Sequence, residues 1–343
     1  MSSTSCEQQT FFGSIHFLSR FLHTVAMIGT PFHIYSLYCI LMRSKNSLKV
    51  MKWDLLTLHL VNISFHYFIS ALASPYVMLP AMAGSPFGIM KHFLIPCNVQ
   101  IYMSTGCLAL VVISSPVFYE RWYYELFRKK SKTWGRVRKW WIAFHYFGVI
   151  GIVGFAASEA PDQAESIDLI FKHLPCLPDY FHTSPIFVLS DKFSTIVIAF
   201  TVLVLIVASE DIFFTMLTLL FTSEELHSGK LSTQTFQSQT RFLCKLHLQV
   251  LIPLPTLILP LTYAILSIIG DYYNQVFNNL FVISASFHGV VSSLVLIILH
   301  SEYRRPLFCF RRNILHVEEI QKDSSSSNAA VVFHRRHSIV VIN

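Results

Sequence analysis

Histidine is the residue type in this sequence that could take part in the most kinds of chemistry. The chain contains 16 of them, and His59 and His66, seven residues apart, would share one face of a helix. Because no acidic or cysteine ligand stands beside them at the spacing of a metal site, hydrogen-bonded histidines in a protein core are the favoured interpretation. We expect neither a metal nor another cofactor. No stretch matches a phosphate-binding loop, a nucleophile elbow or a zinc-protease helix, which argues against an enzyme.

The composition of the chain points to a lipid bilayer. It is 53% hydrophobic and only 13% charged, and seven apolar windows reach the length of about 20 residues that a membrane helix needs. These windows are 17–42, 53–79, 93–119, 140–158, 193–221, 242–269 and 277–299. The sequence therefore predicts an all-α membrane protein, a seven-transmembrane helix bundle over 17–300. It would follow a short extracellular segment, 1–16, and precede a tail, 301–343, disordered from about residue 324.

Positive charges predict how the bundle is oriented. Of the 26 lysines and arginines, 22 fall in the connections 43–52, 120–139 and 222–245 and in the tail from residue 301. The positive-inside rule makes that side cytoplasmic, so that the N-terminus is outside and the C-terminus is cytoplasmic. The net charge of +7 is then a topology signal, and we expect no nucleic-acid partner.

Two adjacent acids, Glu210 and Asp211, lie in the apolar run of the predicted fifth span. In one interpretation both carboxylates reach water at the inner interface. In the other, one of them faces the bundle and pairs with a polar group, as charges inside membranes tend to do. The first interpretation is favoured, because Glu210 would stand about 27 Å along a helix that begins at Lys192.

The predicted sixth span contains three prolines, Pro253, Pro255 and Pro260, and a polar segment runs into it without a break. A proline removes a backbone hydrogen bond and bends a helix. Pro253 and Pro260 would lie on nearly the same face, and Pro255 on the opposite one. Two interpretations are open: Pro253 and Pro260 form a hinge that lets the inner end move, or the prolines are simply tolerated in lipid.

Cysteines suggest one covalent link. Cys97 and Cys176 would both face the oxidising compartment, and we expect a disulfide between them that ties the long outer connection to the third span. Cys6 is a competing partner, since connectivity cannot be read from a sequence. Cys309, just past the last span, is a candidate for palmitoylation.

Several short motifs occur in order between about residue 30 and residue 306. They are Tyr38-Cys39-Ile40-Leu41, Met51-Lys52-Trp53, Leu231-Ser232 with Thr235, Gln249 with Pro253, Phe287-His288-Gly289, and Tyr303-Arg304. Taken together, these motifs resemble the nematode serpentine receptors of class H. The chain departs from the family pattern at Ser44-Lys45, where the family has Thr-Pro.

This resemblance implies a chemosensory G-protein-coupled receptor of the plasma membrane, in a sensory cilium, with a small-molecule chemical ligand and a heterotrimeric G protein as partners. A channel or transporter, or a non-signalling membrane protein, is the alternative. We expect ligand contacts on the outer halves of the spans, at Gln100, Met103, Tyr263 and Phe277.

We expect the G-protein face to contain Glu120, Arg121, Ser232, Thr235, Tyr303 and Arg304. The adjacent pair Glu120 and Arg121 is either a switch or, as is usual for an ion pair at an interface, a solvated pair that contributes little.

Overall fold

The computed structural model describes residues 10–43, 51–127, 132–174 and 177–304. Within these residues, seven helices are long and apolar enough to cross a membrane. The predicted seven-helix bundle is thereby confirmed, since length and apolar character are what a spanning helix requires.

Nine α-helices build the described part of the chain. They are α1 (Ile15–Arg43), α2 (Lys52–Tyr67), α3 (Cys97–Phe127), α4 (Lys132–Ser158), α5 (Gln163–His173), α6 (Phe193–His227), α7 (Thr233–Leu251), α8 (Pro255–Ile269) and α9 (Gln275–Leu299). A π turn, Phe68–Leu72, extends α2, and three 3₁₀ turns cover Phe11–Gly13, Ile89–Phe93 and Asp179–His182. The first to fourth spans are α1 to α4, the fifth lies in α6, the sixth comprises α7 and α8, and the seventh is α9; α5 belongs to the connection between the fourth and fifth spans.

The helices differ from the predicted windows at their polar ends. α3 continues from residue 119 to Phe127, α4 begins at Lys132 instead of residue 140, and α7 begins at Thr233 instead of residue 242. An apolar window ends at the first charged residues, whereas a helix continues as long as its backbone hydrogen bonds are made and its polar face is solvated. These extensions all lie at the basic end, which we define as the end of the bundle that holds the connections between spans one and two, three and four, and five and six.

A small antiparallel sheet lies at the other end and was not predicted. Its strands are β1 (Pro75–Met78), β2 (Ala83–Pro86) and β3 (Phe187–Val188), in the order β1-β2-β3. Tyr76 pairs with Ser85, and Ala83 pairs with Val188. The second span is consequently shorter than its window, because the residues after the π turn leave the helix to join the sheet.

Polar side chains at the start of α9 connect this sheet to the helices. Gln275 Nε2 donates to the Val77 carbonyl at 3.2 Å, and Asn278 Nδ2 donates to the Leu79 carbonyl at 3.2 Å. Asn279 Nδ2 donates to the Phe12 carbonyl at 2.8 Å. The backbone groups of an irregular segment need such partners when they are buried.

The largest cluster of buried apolar side chains packs beside the sheet, with Leu22, Phe65, Tyr76, Phe181 and Val282 among its members. α4 and α6, by contrast, carry many exposed large apolar side chains. Apolar helix faces of this kind suit lipid, which solvates hydrocarbon as well as a protein core does.

The chain divides into two compact units, Met1–Leu296 and Ile297–Asn343. In the second unit the structure describes residues 297–304, where α9 ends and a further turn follows. The amides of Tyr303 and Arg304 both donate to the His300 carbonyl, at 2.9 and 3.1 Å. Tyr303 is buried and Arg304 is exposed. The predicted disordered segment from residue 324 lies outside the described residues.

Candidate functional site

A cavity of about 390 Å³ lies among spans two, three, five, six and seven. It is centred at mid-span, because Val111, Ala208, Pro253 and Ala285 in its wall all stand near the midpoints of their spans. Its wall is mostly aliphatic and aromatic. Small-molecule sites have volumes of roughly 300–1,000 Å³ and walls of this kind, so the cavity has the size and the lining of a site for a small ligand.

A few polar residues of the cavity wall are hydrogen-bonded to one another. Asn62 Nδ2 on α2 donates to Ser292 Oγ on α9 at 2.9 Å. Ser115 Oγ on α3 donates to Asp211 Oδ2 on α6 at 2.5 Å. These bonds join the second span to the seventh and the third span to the fifth, across the middle of the bundle.

Three buried oxygen atoms of the wall have no hydrogen-bond partner within the described part of the chain. They are Asn62 Oδ1, Asp211 Oδ1 and Gln249 Oε1. Asn62 and Gln249 are each only 5% exposed. A buried polar atom without a partner costs free energy of the order of 1–3 kcal/mol, and all three atoms are acceptors. The cavity therefore offers unused acceptors beside its apolar wall.

The sixth span is broken where it borders the cavity. α7 ends at Leu251, and α8 begins with Pro255 at its first position, where the missing amide proton of proline is not needed. The carbonyl oxygen of Pro253 accepts from the Thr256 amide at 3.1 Å and from the Thr256 hydroxyl at 2.5 Å. His288 Nδ1 on α9 lies 3.3 Å from the same oxygen.

The two prolines of the predicted hinge, Pro253 and Pro260, occupy different positions in the sixth span. Pro253 lies in the break, whereas Pro260 lies inside α8, which continues to Ile269 without interruption. Both prolines line the cavity. Their role in a movement stays a prediction.

Both acids of the fifth span pair with polar side chains of neighbouring helices, as the second interpretation of Glu210 and Asp211 expected. Glu210 Oε2 lies 2.7 Å from His145 Nε2 on α4, and Asp211 binds Ser115 on α3. Successive residues point about 100° apart around a helix, and for this reason the two acids meet different neighbours. Only Asp211 belongs to the cavity wall.

The residues predicted to contact the ligand lie away from the cavity, towards the sheet end of the spans. Gln100 is buried and its Nε2 donates to the Ile95 carbonyl at 2.8 Å. Tyr263 donates its hydroxyl to Asn278 Oδ1 at 2.9 Å, and its ring centroid lies 5.8 Å from that of Phe277. Met103 is exposed. None of Gln100, Met103, Tyr263 and Phe277 is among the residues that line the cavity, and their assignment as ligand contacts stays a prediction.

Glu120 and Arg121 at the basic end bind different partners. The carboxylate of Glu120 is fully buried and accepts from Arg138 Nε at 2.7 and 2.9 Å and from Trp134 Nε1 at 2.8 Å, both on α4. Arg121 Nε lies 3.2 Å from Asp54 Oδ2 on α2. The interpretation of a solvated pair is wrong for Glu120, because α4 covers it. Their role towards a G protein stays a prediction.

Ser232 and Thr235 start the sixth span. The Ser232 hydroxyl accepts from the Thr235 amide at 3.2 Å and so caps α7, which satisfies one of the free amides of the first turn. Both side chains are exposed. They are therefore accessible at the basic end, and contact with a G protein stays a prediction for them as well.

The histidines of the second span are buried and contact a third histidine. His66 Nδ1 lies 2.7 Å from the Ser286 carbonyl oxygen, and His33 Nδ1 lies 2.7 Å from Ser293 Oγ. The ring of His33 is 4.8 Å from that of His66 and 6.2 Å from that of His59. Among the residues that the structure describes, no group of three His, Cys, Asp or Glu side chains is arranged to hold a metal ion.

Cys97 Sγ lies 3.8 Å from the Gly84 carbonyl oxygen, and no disulfide joins Cys97 to another cysteine among the described residues. Its predicted partner Cys176 lies outside the described residues, so the disulfide stays a prediction. Cys309 is likewise outside them.

Seven spans with apolar outer faces around a mid-span cavity define a multi-pass membrane protein of the heptahelical receptor type. The family model described as "Serpentine type 7TM GPCR chemoreceptor Srh" matches residues 13–312, and the chain belongs to this family. It is similar to Serpentine receptor class H-72 of Caenorhabditis elegans, with 26% identity over 283 residues, which cover 82% of this chain and 81% of that protein. The resemblance to class H receptors is thereby confirmed. The family is a receptor class and not a class of enzymes.

Proposed function

We propose that the protein is a chemosensory receptor that binds a small-molecule ligand in the mid-span cavity and activates a heterotrimeric G protein at its basic end. One observation carries the proposal. The cavity wall includes both sides of the break in the sixth span, with Gln249 and Val250 before it and Leu257 and Leu261 after it. A molecule in the cavity therefore contacts α7 and α8 at the same time.

The break supplies a mechanism for signalling. A ligand that fits one angle between α7 and α8 better than another shifts the population towards that angle. Because the break stands in mid-span, a change of angle displaces the start of α7 at the basic end. Helix movements of this kind expose or close binding surfaces in other switching proteins. Membership of a GPCR family supports a G protein as the partner at that end.

The same proposal includes the location of the receptor. The distribution of lysines and arginines supports an outside N-terminus and a cytoplasmic basic end. The family supports the plasma membrane, and the chemosensory role of its members supports a sensory cilium.

A substitution that fills the cavity with a larger side chain tests this proposal. Leu257 lines it, whereas Leu259 on the same helix is 66% exposed. The receptor is expressed in a reporter cell and challenged with a panel of odorants, with calcium or cyclic nucleotide as the signal. We expect Leu257→Trp to abolish a response that the matched control Leu259→Trp retains.

Surface labelling must show equal amounts of both variants, because a misfolded receptor would also be silent. A Leu257→Trp receptor that reaches the surface and responds like the unaltered chain would contradict a ligand site in this cavity.

A further inference from the structure

We infer that the ligand of the mid-span cavity is a small primary amine, which binds as a cation with its ammonium group against Asp211 and its apolar body against the aliphatic wall. This inference rests on the proposed function, because it takes the cavity as the ligand site. It goes further by naming the charge and the chemical class of the ligand.

Within the described ranges, Asp211 has one neutral hydrogen-bond donor beside it and no positively charged side chain. Its Oδ2 accepts from Ser115 at 2.5 Å, and its Oδ1 has no partner within the described residues. No Lys or Arg belongs to the cavity wall in the part of the chain that the structure describes. A serine hydroxyl donates a hydrogen bond but brings no positive charge. A carboxylate in such surroundings lacks the counter-charge that buried acids need.

His288 is the basic side chain in the cavity wall that could provide a positive charge for Asp211, but it contacts other groups. Its Nδ1 lies 3.2 Å from Thr256 Oγ1 and 3.3 Å from the Pro253 carbonyl oxygen. His288 thus contacts the break in the sixth span, and Asp211 has no ion-pair partner among the described residues. A bound cation would supply one.

The neighbouring acid, Glu210, is paired with a basic side chain of the protein itself. Glu210 precedes Asp211 directly, and its carboxylate lies 2.7 Å from His145 Nε2. It is absent from the cavity wall. Two adjacent acids on one helix thus differ in one respect: a histidine faces one of them, and an open cavity faces the other.

The remaining free acceptors fit a primary amine. An ammonium group has three donors and no acceptor, so it can donate to Asp211 Oδ1 and needs no donor from the protein. Asn62 Oδ1 and Gln249 Oε1 are the other free acceptors in the cavity wall among the described residues, and they too favour a ligand that brings donors. The rest of the cavity wall consists mainly of apolar side chains such as Val111 and Leu257. A ligand with a carboxylate of its own would place a second negative charge beside Asp211. An uncharged body with one ammonium head therefore fits best.

The test measures binding without a G protein. The purified full-length receptor is heated in the presence of cyclohexylmethylamine or of cyclohexylmethanol, two probes of equal size that differ in their head group. A ligand that binds only the folded state stabilises it by RT ln(1 + L/Kd), where L is the free ligand concentration, so the melting temperature rises with the logarithm of that concentration once it exceeds Kd. We expect the amine to stabilise the receptor and the alcohol to do so far less.

Two variants assign the effect to one carboxylate. Removing one partner of a buried charge pair weakens binding by roughly 30-fold or more, so Asp211→Asn should lose the amine effect. Glu210→Gln, which alters the adjacent acid outside the cavity, is the matched control and should keep it.

Three results would overturn the inference: equal stabilisation by amine and alcohol, no stabilisation of a folded receptor by the amine, or an unchanged amine effect in Asp211→Asn. The unaltered receptor alone decides the first two, so a variant that fails to fold leaves the test intact. An amine that binds without activating a G protein would count against the proposed function and not against this inference. An alcohol that activates the receptor would do the reverse.

Discussion

Arg138→Met tests whether the buried ion pair at the basic end holds α3 and α4 together. The substitution keeps most of the apolar stem of the side chain and removes its charge. Two of the three hydrogen bonds to the fully buried carboxylate of Glu120 come from Arg138, and the third comes from Trp134. The variant would therefore leave a buried carboxylate with one neutral donor.

We expect Arg138→Met to lose much of the free energy of unfolding. Removing one partner of a buried ion pair costs about 3–5 kcal/mol, because the other charge stays buried without compensation. The guanidinium of Arg138 also lies 4.7 Å from the ring centroid of Tyr124, and loss of this contact adds to the effect. The double variant Glu120→Gln/Arg138→Met removes the stranded charge, so we expect it to recover much of the stability.

The chain contains a matched control pair. Lys172 and Asp168 on α5 form an ion pair four residues apart, with side chains 66% and 65% exposed. Exposed pairs of this type contribute about 0.3–0.5 kcal/mol, so Lys172→Met should cost roughly a tenth as much as Arg138→Met.

The measurement is thermal unfolding of the purified receptor variants in one detergent. A melting temperature of Arg138→Met no lower than that of Lys172→Met would refute the reasoning. So would a double variant that is less stable than Arg138→Met alone, since the loss would then not come from a stranded charge.

Four further predictions concern topology, covalent structure, packing and the break. An epitope tag at the N-terminus should stain intact cells and one at the C-terminus only permeabilised cells; the reverse pattern would place the basic end outside. Peptide mass spectrometry without reduction should find Cys97 linked to Cys176, and detection of both as free thiols would exclude the disulfide. Gly289→Ala should lower the melting temperature by the equivalent of about 1–3 kcal/mol, because its Cβ would stand 2.6 Å from a side-chain atom of the second span; an unchanged value would mean that the two spans separate easily. Pro253→Ala should alter basal or ligand-driven signalling more than Pro260→Ala, because Pro253 lies in the break, and equal signalling by both variants at equal surface amounts would speak against a hinge.

The number of spans could be predicted from the sequence because it depends on a local property, the length of an apolar run. The sheet could not. β3 has only two residues, and its partners in β2 lie about a hundred positions earlier in the chain. Short strands of this kind have no periodicity to detect, and their pairing depends on which connections meet at one end of the bundle.

The mid-span cavity could not be predicted for a related reason. The apolar residues of the fifth span are spread around the whole helix, so that no amphipathic pattern marks the face that turns inward. The choice of Gln100, Met103, Tyr263 and Phe277 rested on depth alone. Packing decides the inward face, and it places the cavity at mid-span, beside the break in the sixth span.

Three of the acids in the spans, Glu120, Glu210 and Asp211, show how structure separates roles that residue type leaves equal. Glu120 has donors for both of its oxygens, and Glu210 has a histidine. Each is covered by α4, and each holds that helix in place. Asp211 has one serine, a free oxygen and a cavity in front of it. Proteins satisfy nearly all of their buried polar groups, whereas Asp211 is left half-satisfied beside a cavity among the described residues. This contrast is the physical basis of the cationic ligand that we infer.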